Sequence, residues 1–118
     1  MAEVRDKRGV PRTRLVARPA ARVRGLRGVR LLDLSLTGVQ IEHLDLVPLD
    51  AACSLDLPAP FRALNLPAQV VWCTVIGRKR KRGGESHLVA RSGLRFATLT
   101  GAQHAALADT LQHLAAAQ

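Results

Sequence analysis

Aromatic side chains are scarce in this sequence of 118 residues. They make up 3% of the chain, and tyrosine is absent. The core must therefore be built from aliphatic side chains, with Trp72, Phe61 and Phe96 as rare large anchors. Platforms of several stacked aromatic rings, with which many proteins bind single-stranded nucleic acid, are excluded by this composition.

Cysteines and long apolar runs are also few. Cys53 and Cys73 are too few for a disulfide scaffold and have no metal-binding spacing, so we expect both to be reduced and buried. No apolar run approaches the ~18 residues that a membrane span needs, and the N-terminus lacks the apolar segment of a signal peptide. These absences predict a soluble, cytoplasmic protein without a membrane span.

Patterns typical of catalysis and metal binding are missing as well. Ser35 has no nucleophile-elbow motif around it, and no glycine-rich phosphate loop precedes a helix. The four histidines do not have the helical spacing of a metal site; they are His43, His87, His104 and His113. We therefore expect no enzyme activity, no metal and no cofactor.

Positive charge is abundant and unevenly placed. The net charge is +9, and the first 30 residues alone carry ten basic and two acidic side chains. The middle of the chain, residues 31–77, is acidic, and a second basic run follows at residues 78–82. Such a chain favours an anionic partner, which could be a phosphate ligand, nucleic acid, anionic lipid or an acidic protein surface.

Alternating apolar and polar residues predict six short strands. The first strand has a basic outer face, and Pro19 indicates an edge or a bulge in it. The most strand-prone run surrounds Trp72 and is expected in the core, whereas the basic run 78–82 should form a hairpin tip; Gly93 indicates a bulge in the last strand. The predicted strands cover residues 13–24, 29–34, 39–43, 52–57, 68–76 and 86–98.

The chain ends in a predicted helix. Thr100 and Gln103 have capping-box spacing, and an apolar stripe follows at Leu107, Leu111 and Leu114. The predicted fold class is therefore all-β, a six-stranded antiparallel β-barrel with a C-terminal α-helix docked on its open end. We expect one domain at residues 13–118, preceded by a flexible N-terminal arm at residues 1–12.

A polar bend interrupts the β pattern at residues 31–41 (LLDLSLTGVQI). An ionised Asp33 can accept two hydrogen bonds from the N1–H and N2–H₂ edge of guanine, and Ser35 can donate or accept beside it. Gly38 can take a positive φ and so permit a turn. Two arginines on a loop could clamp phosphates and lay a guanidinium plane on a purine, so a guanine nucleotide suits these residues.

RGVPR at residues 8–12 and DLSLTG at residues 33–38 resemble the RxxxR and DxSxxG motifs of the PilZ domain family. The resemblance extends to AQVVW at 68–72 and SGLRF at 92–96, which match late strands of that family. It implies a six-stranded barrel with a C-terminal helix that binds cyclic di-GMP, a bacterial second messenger.

The resemblance also implies a role for each motif residue. Arg8 and Arg12 would bind phosphates and stack on guanine, Asp33 and Ser35 would contact guanine edges, and Gly38 would permit the turn. Lys7 is a further candidate; it stands where some family members have a third arginine and bind a stacked ligand dimer. Because lysine is charged but cannot stack as a plane, the number of bound ligands stays open.

The RxxxR spacing alone carries little weight in a chain so rich in arginine, because it occurs five times. Four-residue pairs inside a strand are held about 13 Å apart on one face, whereas a loop can bring two guanidinium groups to one ligand. This argument leaves Arg8/Arg12 and Arg78/Arg82, both predicted in loops, and we favour Arg8/Arg12 because it directly precedes the first strand, as the family resemblance implies. The other pairs are Arg14/Arg18, Arg18/Arg22, Arg78/Arg82 and Arg91/Arg95.

The expected function is that of a receptor whose N-terminal arm is ordered by cyclic di-GMP and then signals to a protein partner. The resemblance implies motility, exopolysaccharide or biofilm control.

Two alternatives stay open. One is a basic barrel that binds nucleic acid through Arg14, Arg18, Arg22 and the 78–82 loop, which the lack of aromatic platforms disfavours. The other is a PilZ-like scaffold that acts only by protein contacts.

Overall fold

One antiparallel sheet and a C-terminal helix make up the fold in a computed structural model that describes residues 11–57, 64–80 and 83–117, with side chains in the last range to residue 114. The order of these elements along the chain is β1 (Thr13–Arg14), β2 (Arg22–Val23), β3 (Arg27–Leu34), β4 (Gly38–Leu44), β5 (Ala52–Asp56), β6 (Asn65–Arg80), β7 (Ser86–Phe96) and α1 (Gly101–Ala117). The predicted class, a β-barrel-like sheet with a terminal helix, is confirmed.

The described residues form seven strands in the order β1-β3-β4-β7-β6-β5-β2, with antiparallel neighbours throughout. The N-terminal segment lies at both ends of this order. Residues 19–21 of this segment are hydrogen-bonded to β3: the Leu31 N–H donates to the Pro19 carbonyl, and the Ala21 N–H donates to the Val29 carbonyl. The next two residues, Arg22–Val23, pair with β5. One segment thereby joins the two sides of the curled sheet.

The prediction of a single first strand was wrong. The segment is strand only at β1 and β2, with a turn between them in which the Arg18 N–H donates to the Leu15 carbonyl at 3.0 Å. Arg18 has a φ of 48°, which a strand residue does not adopt. The two-fold pattern holds at the ends, where Leu15 and Val23 are buried, but fails at exposed Ala17.

Aliphatic side chains fill the interior, as the composition predicts. The fully buried leucines, valines and isoleucine come from β3 to β7 and from α1, and include Leu31, Leu34, Ile41, Val70 and Leu107. Trp72 lies outside this core with 36% of its surface exposed, so the expectation of a buried tryptophan was wrong. Both cysteines are free and half-buried rather than fully buried.

β6 and β7 continue beyond the core as a two-stranded ribbon. β6 runs from Asn65 to Arg80, and Arg80 pairs with Ser86. The first three residues of the basic run therefore belong to a strand rather than to the predicted hairpin tip. Gly83 and Gly84 adopt positive φ in the turn before β7, a conformation that glycine allows without steric cost.

The terminal helix begins with the predicted capping box. The Thr100 Oγ1 accepts from the Gln103 N–H at 3.0 Å, and the Gln103 Oε1 accepts from the Thr100 N–H at 2.8 Å. Leu107 is fully buried in the core, and Leu111 and Leu114 pack against it. The predicted docking of this apolar stripe on the sheet is confirmed.

Candidate functional site

A β-bulge in β3 places Asp33 on the outer face of the sheet. Leu31 pairs with Ile41 and Asp33 with Gln40, so Leu32 is the extra residue. Strict alternation from buried Leu31 would point Asp33 inwards and Leu34 outwards. The bulge reverses both, because Leu34 is buried and Asp33 lines an outer cavity.

Cross-strand pairing then carries Asp33 into a row that crosses five strands. The pairs that build it are Arg14↔Asp33, Asp33↔Gln40, Gln40↔Gly93 and Gly93↔Trp72. Because directly paired residues point to the same face, these side chains share the outer surface. Along this row lie the guanidinium of Arg14, the carboxylate of Asp33, the amide of Gln40 and the indole of Trp72. Gly93, which has no side chain, lies between the last two.

Arg12 contacts Asp33 from the residue just before β1. Its Nη1 donates to the Asp33 Oδ1 at 2.7 Å, and both side chains are more than four-fifths buried, with exposures of 18% and 16%. The Arg12 Nε is buried and has no hydrogen-bond partner among the described residues. A buried donor without a partner is costly, so this nitrogen is suited to an acceptor such as a phosphate oxygen.

A cavity of about 770 Å³ opens over this contact. Its volume lies within the roughly 300–1,000 Å³ of small-molecule sites. Four arginines line it with one carboxylate, so it is an anion-selective space. The lining residues are Arg12, Arg14, Leu15, Val16, Arg18, Leu32, Asp33, Gln40 and Arg91.

Ser35 lies inside the tight connection between β3 and β4. It is fully buried, and its Oγ accepts hydrogen bonds from the N–H groups of Thr37 and Gly38 at 3.2 and 3.1 Å. The same Oγ donates to the Gly38 carbonyl at 3.2 Å. In this geometry the hydroxyl holds the turn that follows Asp33; its direct contact with guanine stays a prediction.

Gly38 is required for a reason other than the expected positive φ. Its φ is not in the left-handed region, but a Cβ at this position would lie 2.3 Å from the Leu94 carbonyl oxygen in β7. Only glycine allows β4 and β7 to approach this closely. The glycine of the motif therefore fixes the sheet beside Asp33 rather than the turn itself.

Trp72 packs over Gly93 and lies beside Arg12. A Cβ at Gly93 would lie 2.1 Å from the Trp72 Nε1, so the missing side chain makes room for the ring. The bulge expected at Gly93 lies instead on the facing strand, where Val71 is the extra residue. A second cavity of about 270 Å³ has both Arg12 and Trp72 in its wall. Arg12 thus lies between the two cavities.

The structure brings together only part of the predicted site. Arg12 and Asp33 meet, and Ser35 and Gly38 build the adjoining turn. Arg8 and Lys7 lie outside the described residues, as does almost all of the predicted arm.

Sequence reasoning missed four residues that line the cavities beside this site, namely Arg18, Gln40, Arg91 and Trp72. Arg18 was set aside as a strand residue, yet it sits in the turn between β1 and β2 and reaches the cavity. Gln40 and Arg91 carry a weak signal, because both alternate with buried residues and so face outwards. Nothing in the sequence indicates the bulge that places Trp72 in the row.

The described residues offer no group of three or more His, Cys, Asp or Glu side chains that could hold a metal ion. No helix in the described part of the chain is long and apolar enough to cross a membrane.

Comparison with known proteins agrees with the family resemblance and with the fold. The family model described as PilZ domain matches residues 3–113. A solved structure, the PilZ domain with c-di-GMP of YcgR from Escherichia coli, is similar at a TM-score of 0.68 and 15% sequence identity, covering 95% of this chain and 94% of that one. No curated protein matches the sequence.

The family match spans nearly the whole chain and covers both motif segments, residues 8–12 and 33–38, and most of the terminal helix. Domains of this kind are binding domains and not enzymes, in agreement with the expectation drawn from the missing catalytic patterns. The chain belongs to the PilZ domain family.

Proposed function

We propose that this protein is a receptor for cyclic di-GMP, which binds in the cavity over Arg12 and Asp33. The observation that carries the proposal is the Arg12–Asp33 ion pair, buried beneath a cavity lined by arginines. The solved structure of similar fold is a PilZ domain with c-di-GMP, and this supports the same ligand here.

The chemistry of the ion pair matches a guanine nucleotide. A guanidinium fork and the N1–H and N2–H₂ edge of guanine both present parallel N–H donors to a carboxylate. Arg12 therefore occupies, in this structure, one of the two carboxylate oxygens that a guanine edge would use. When the ligand binds, the N–H groups of guanine replace the Arg12 guanidinium at Asp33. Arg12 is then free to bind a phosphate or to stack on the base.

Arg8, Lys7 and Ser35 keep their predicted roles in this proposal: Arg8 joins Arg12 at the phosphates, Lys7 adds positive charge, and Ser35 contacts the guanine edge beside Asp33. Gly38 instead allows the close approach of β4 to β7 beside Asp33. Ordering of the arm, a protein partner and control of motility, exopolysaccharide or biofilm formation are the downstream part of the proposal, which the family resemblance implies.

Titration calorimetry with cyclic di-GMP tests the ligand assignment. We expect saturable binding by the unaltered protein, and a loss of roughly tenfold or more for Arg8→Ala, Arg12→Ala and Asp33→Asn, since a contact to a charged group is worth about 1.5–3 kcal/mol. Arg24→Ala is the matched control, because Arg24 is an exposed arginine that lines neither cavity at the site.

The base is tested by cyclic di-AMP. Adenine presents an acceptor at N1 where guanine presents a donor, so Asp33 would repel it. The single tryptophan offers a second readout, because Trp72 shares a cavity wall with Arg12. Absence of heat and of any change in Trp72 fluorescence in the folded protein, or equal binding of the two dinucleotides, would refute the assignment.

A further inference from the structure

Two arginines in the large cavity lie outside both sequence motifs. Arg18 comes from the turn between β1 and β2, and Arg91 comes from β7. They are 73 residues apart in sequence, yet both contact the same carboxylate oxygen, Glu42 Oε1. The Arg91 Nε donates to it at 3.3 Å, and the Arg18 Nη1 lies 3.6 Å away.

Glu42 places this pair beside the Asp33 row. It pairs directly with Arg91 across β4 and β7, and it lies two residues from Gln40, which belongs to the row. Two residues along a strand span roughly 7 Å and point to the same face. Glu42 and Arg91 therefore lie on the outer face, about the length of one nucleotide from the Asp33 row. The sheet therefore holds two arginine groups side by side, one at Arg12 and one at Arg91.

The remaining donors of the pair are exposed and available to an anion. Glu42 contacts Arg91 only through Nε, and the two terminal nitrogens of Arg91 have no hydrogen-bond partner among the described residues; the Arg91 and Arg18 side chains are 39% and 49% exposed. Arg18 contacts it only through Nη1. One carboxylate cannot neutralise two guanidinium groups, and a positive charge is left over. Arginine forks of this kind recognise phosphate with paired hydrogen bonds.

The charge of the whole cavity agrees with a ligand carrying two phosphates. Arg12, Arg14, Arg18 and Arg91 line the cavity with Asp33, and Glu42 lies beside it against Arg18 and Arg91; these six side chains carry an excess of two positive charges. A cyclic dinucleotide carries two phosphodiesters, one on each side of its ring. The arginines at one end of the cavity can neutralise only one of these two phosphodiesters.

We propose that Arg18 and Arg91, brought together by Glu42, form a second phosphate-binding subsite. This rests on the proposed binding of cyclic di-GMP and extends it: the motif residues bind one guanine and one phosphate, and the Arg18–Arg91 pair binds the other phosphate. The subsite recognises a phosphate group and does not distinguish bases.

Calorimetry with cyclic di-GMP on Arg18→Ala, Arg91→Ala and the double variant tests the subsite. We expect each single change to weaken binding roughly tenfold or more. Arg24→Ala and Arg22→Ala, which remove exposed arginines outside this cavity, should leave the affinity within about twofold of the unaltered protein. Thermal unfolding of every variant identifies any loss that comes from unfolding.

Direct contact is measured by NMR of the arginine Nε–Hε signals, which the same variants assign. On titration with cyclic di-GMP, the Arg18 and Arg91 signals should shift while the Arg24 signal stays in place. Unshifted signals, or unchanged affinity in folded Arg18→Ala and Arg91→Ala proteins that bind the ligand, would overturn the subsite.

Inorganic pyrophosphate, a small anion without a base, separates the two proposals. If cyclic di-GMP does not bind but pyrophosphate shifts Arg18 and Arg91 and not Arg24, the subsite is right and the ligand assignment is wrong. If neither compound shifts them, or if pyrophosphate shifts Arg24 equally, the subsite does not exist.

Discussion

At the residue scale, Gly38 shows how one missing methyl group fixes the geometry of the site. We expect Gly38→Ala to destabilise the protein by about 1–3 kcal/mol, because the added Cβ would lie 2.3 Å from a backbone oxygen of β7 that cannot move without disturbing the strand pair. Urea denaturation measures the change. Gly77→Ala is the control, since a Cβ there meets nothing within 4 Å.

Gly77 also has no positive φ, so alanine is tolerated there and should leave the stability unchanged or slightly higher. Equal destabilisation by the two substitutions would contradict the close approach of β4 to β7 as the reason for glycine at position 38.

Ser35 has a structural role that can be separated from binding. Ser35→Ala removes the fully buried hydroxyl that accepts from the Thr37 and Gly38 N–H groups, and should cost about 1–3 kcal/mol of unfolding free energy. Ser86→Ala, at an exposed strand end, should change it by less than ~0.5 kcal/mol. Both values come from denaturant titration, and a Ser35→Ala protein as stable as the unaltered one would contradict this role.

The polar turn at residues 33–38 was predictable from the sequence, but the contacts of its individual residues were not. The residue types at positions 33, 35 and 38 indicate a polar turn, and the structure has one. Burial of the Ser35 hydroxyl and the contact of Gly38 with β7 depend on long-range pairing, which local sequence does not specify. Arg12 and Asp33 were predicted in one site from the motif pair and do form an ion pair.

At the element scale, the capping box makes a prediction about the start of α1. Thr100→Ala should cost about 1 kcal/mol of stability, because the Gln103 N–H loses its acceptor. Gln103→Ala should cost at least as much, since its amide also donates to the Asn65 carbonyl of β6 at 3.1 Å. Thermal or urea unfolding measures both changes.

Gln112→Ala, on an exposed position of the same helix, is the control and should have almost no effect. The two hydrogen bonds of the box close one ring, so the double variant Thr100→Ala/Gln103→Ala should lose less than the two single losses added together. Additive losses would show that the bonds act independently and that no box forms in solution.

Strand boundaries were predictable where alternation is regular and not where it breaks. β4 and β7 differ from expectation only at their ends, because both follow a regular pattern of buried residues. The segment 13–24 also alternates, yet its centre is a turn at Arg18. The bulges at Leu32 and Val71 each change which side chains face outwards, and neither leaves a local composition signal.

At the scale of the whole molecule, the N-terminal segment links the ligand site to the closure of the sheet. Arg12 and Arg14 lie at the cavity, and a few residues later Arg22–Val23 pairs with β5 on the other side. The residues that would bind phosphate are therefore continuous with the strand that joins both sides of the sheet. The same segment carries the basic side chains at the cavity and the strand that joins the sheet, which is why the basic bias of the first 30 residues was informative.

Ionic strength distinguishes a built site from diffuse surface charge. Arg12 and Asp33 are mostly buried, so salt should screen their contacts with cyclic di-GMP only weakly, whereas Arg22, Arg24, Arg30, Arg78 and Arg80 are exposed. Raising NaCl from about 0.05 to 0.2 M should weaken cyclic di-GMP binding by less than ~tenfold; a DNA duplex held by six or more phosphate contacts would lose about 10³-fold or more. Fluorescence titrations at both salt concentrations measure the two ligands on the same protein. A parallel, steep loss for both would mean that exposed arginines, and not the cavity, hold the dinucleotide, and would favour the nucleic-acid alternative.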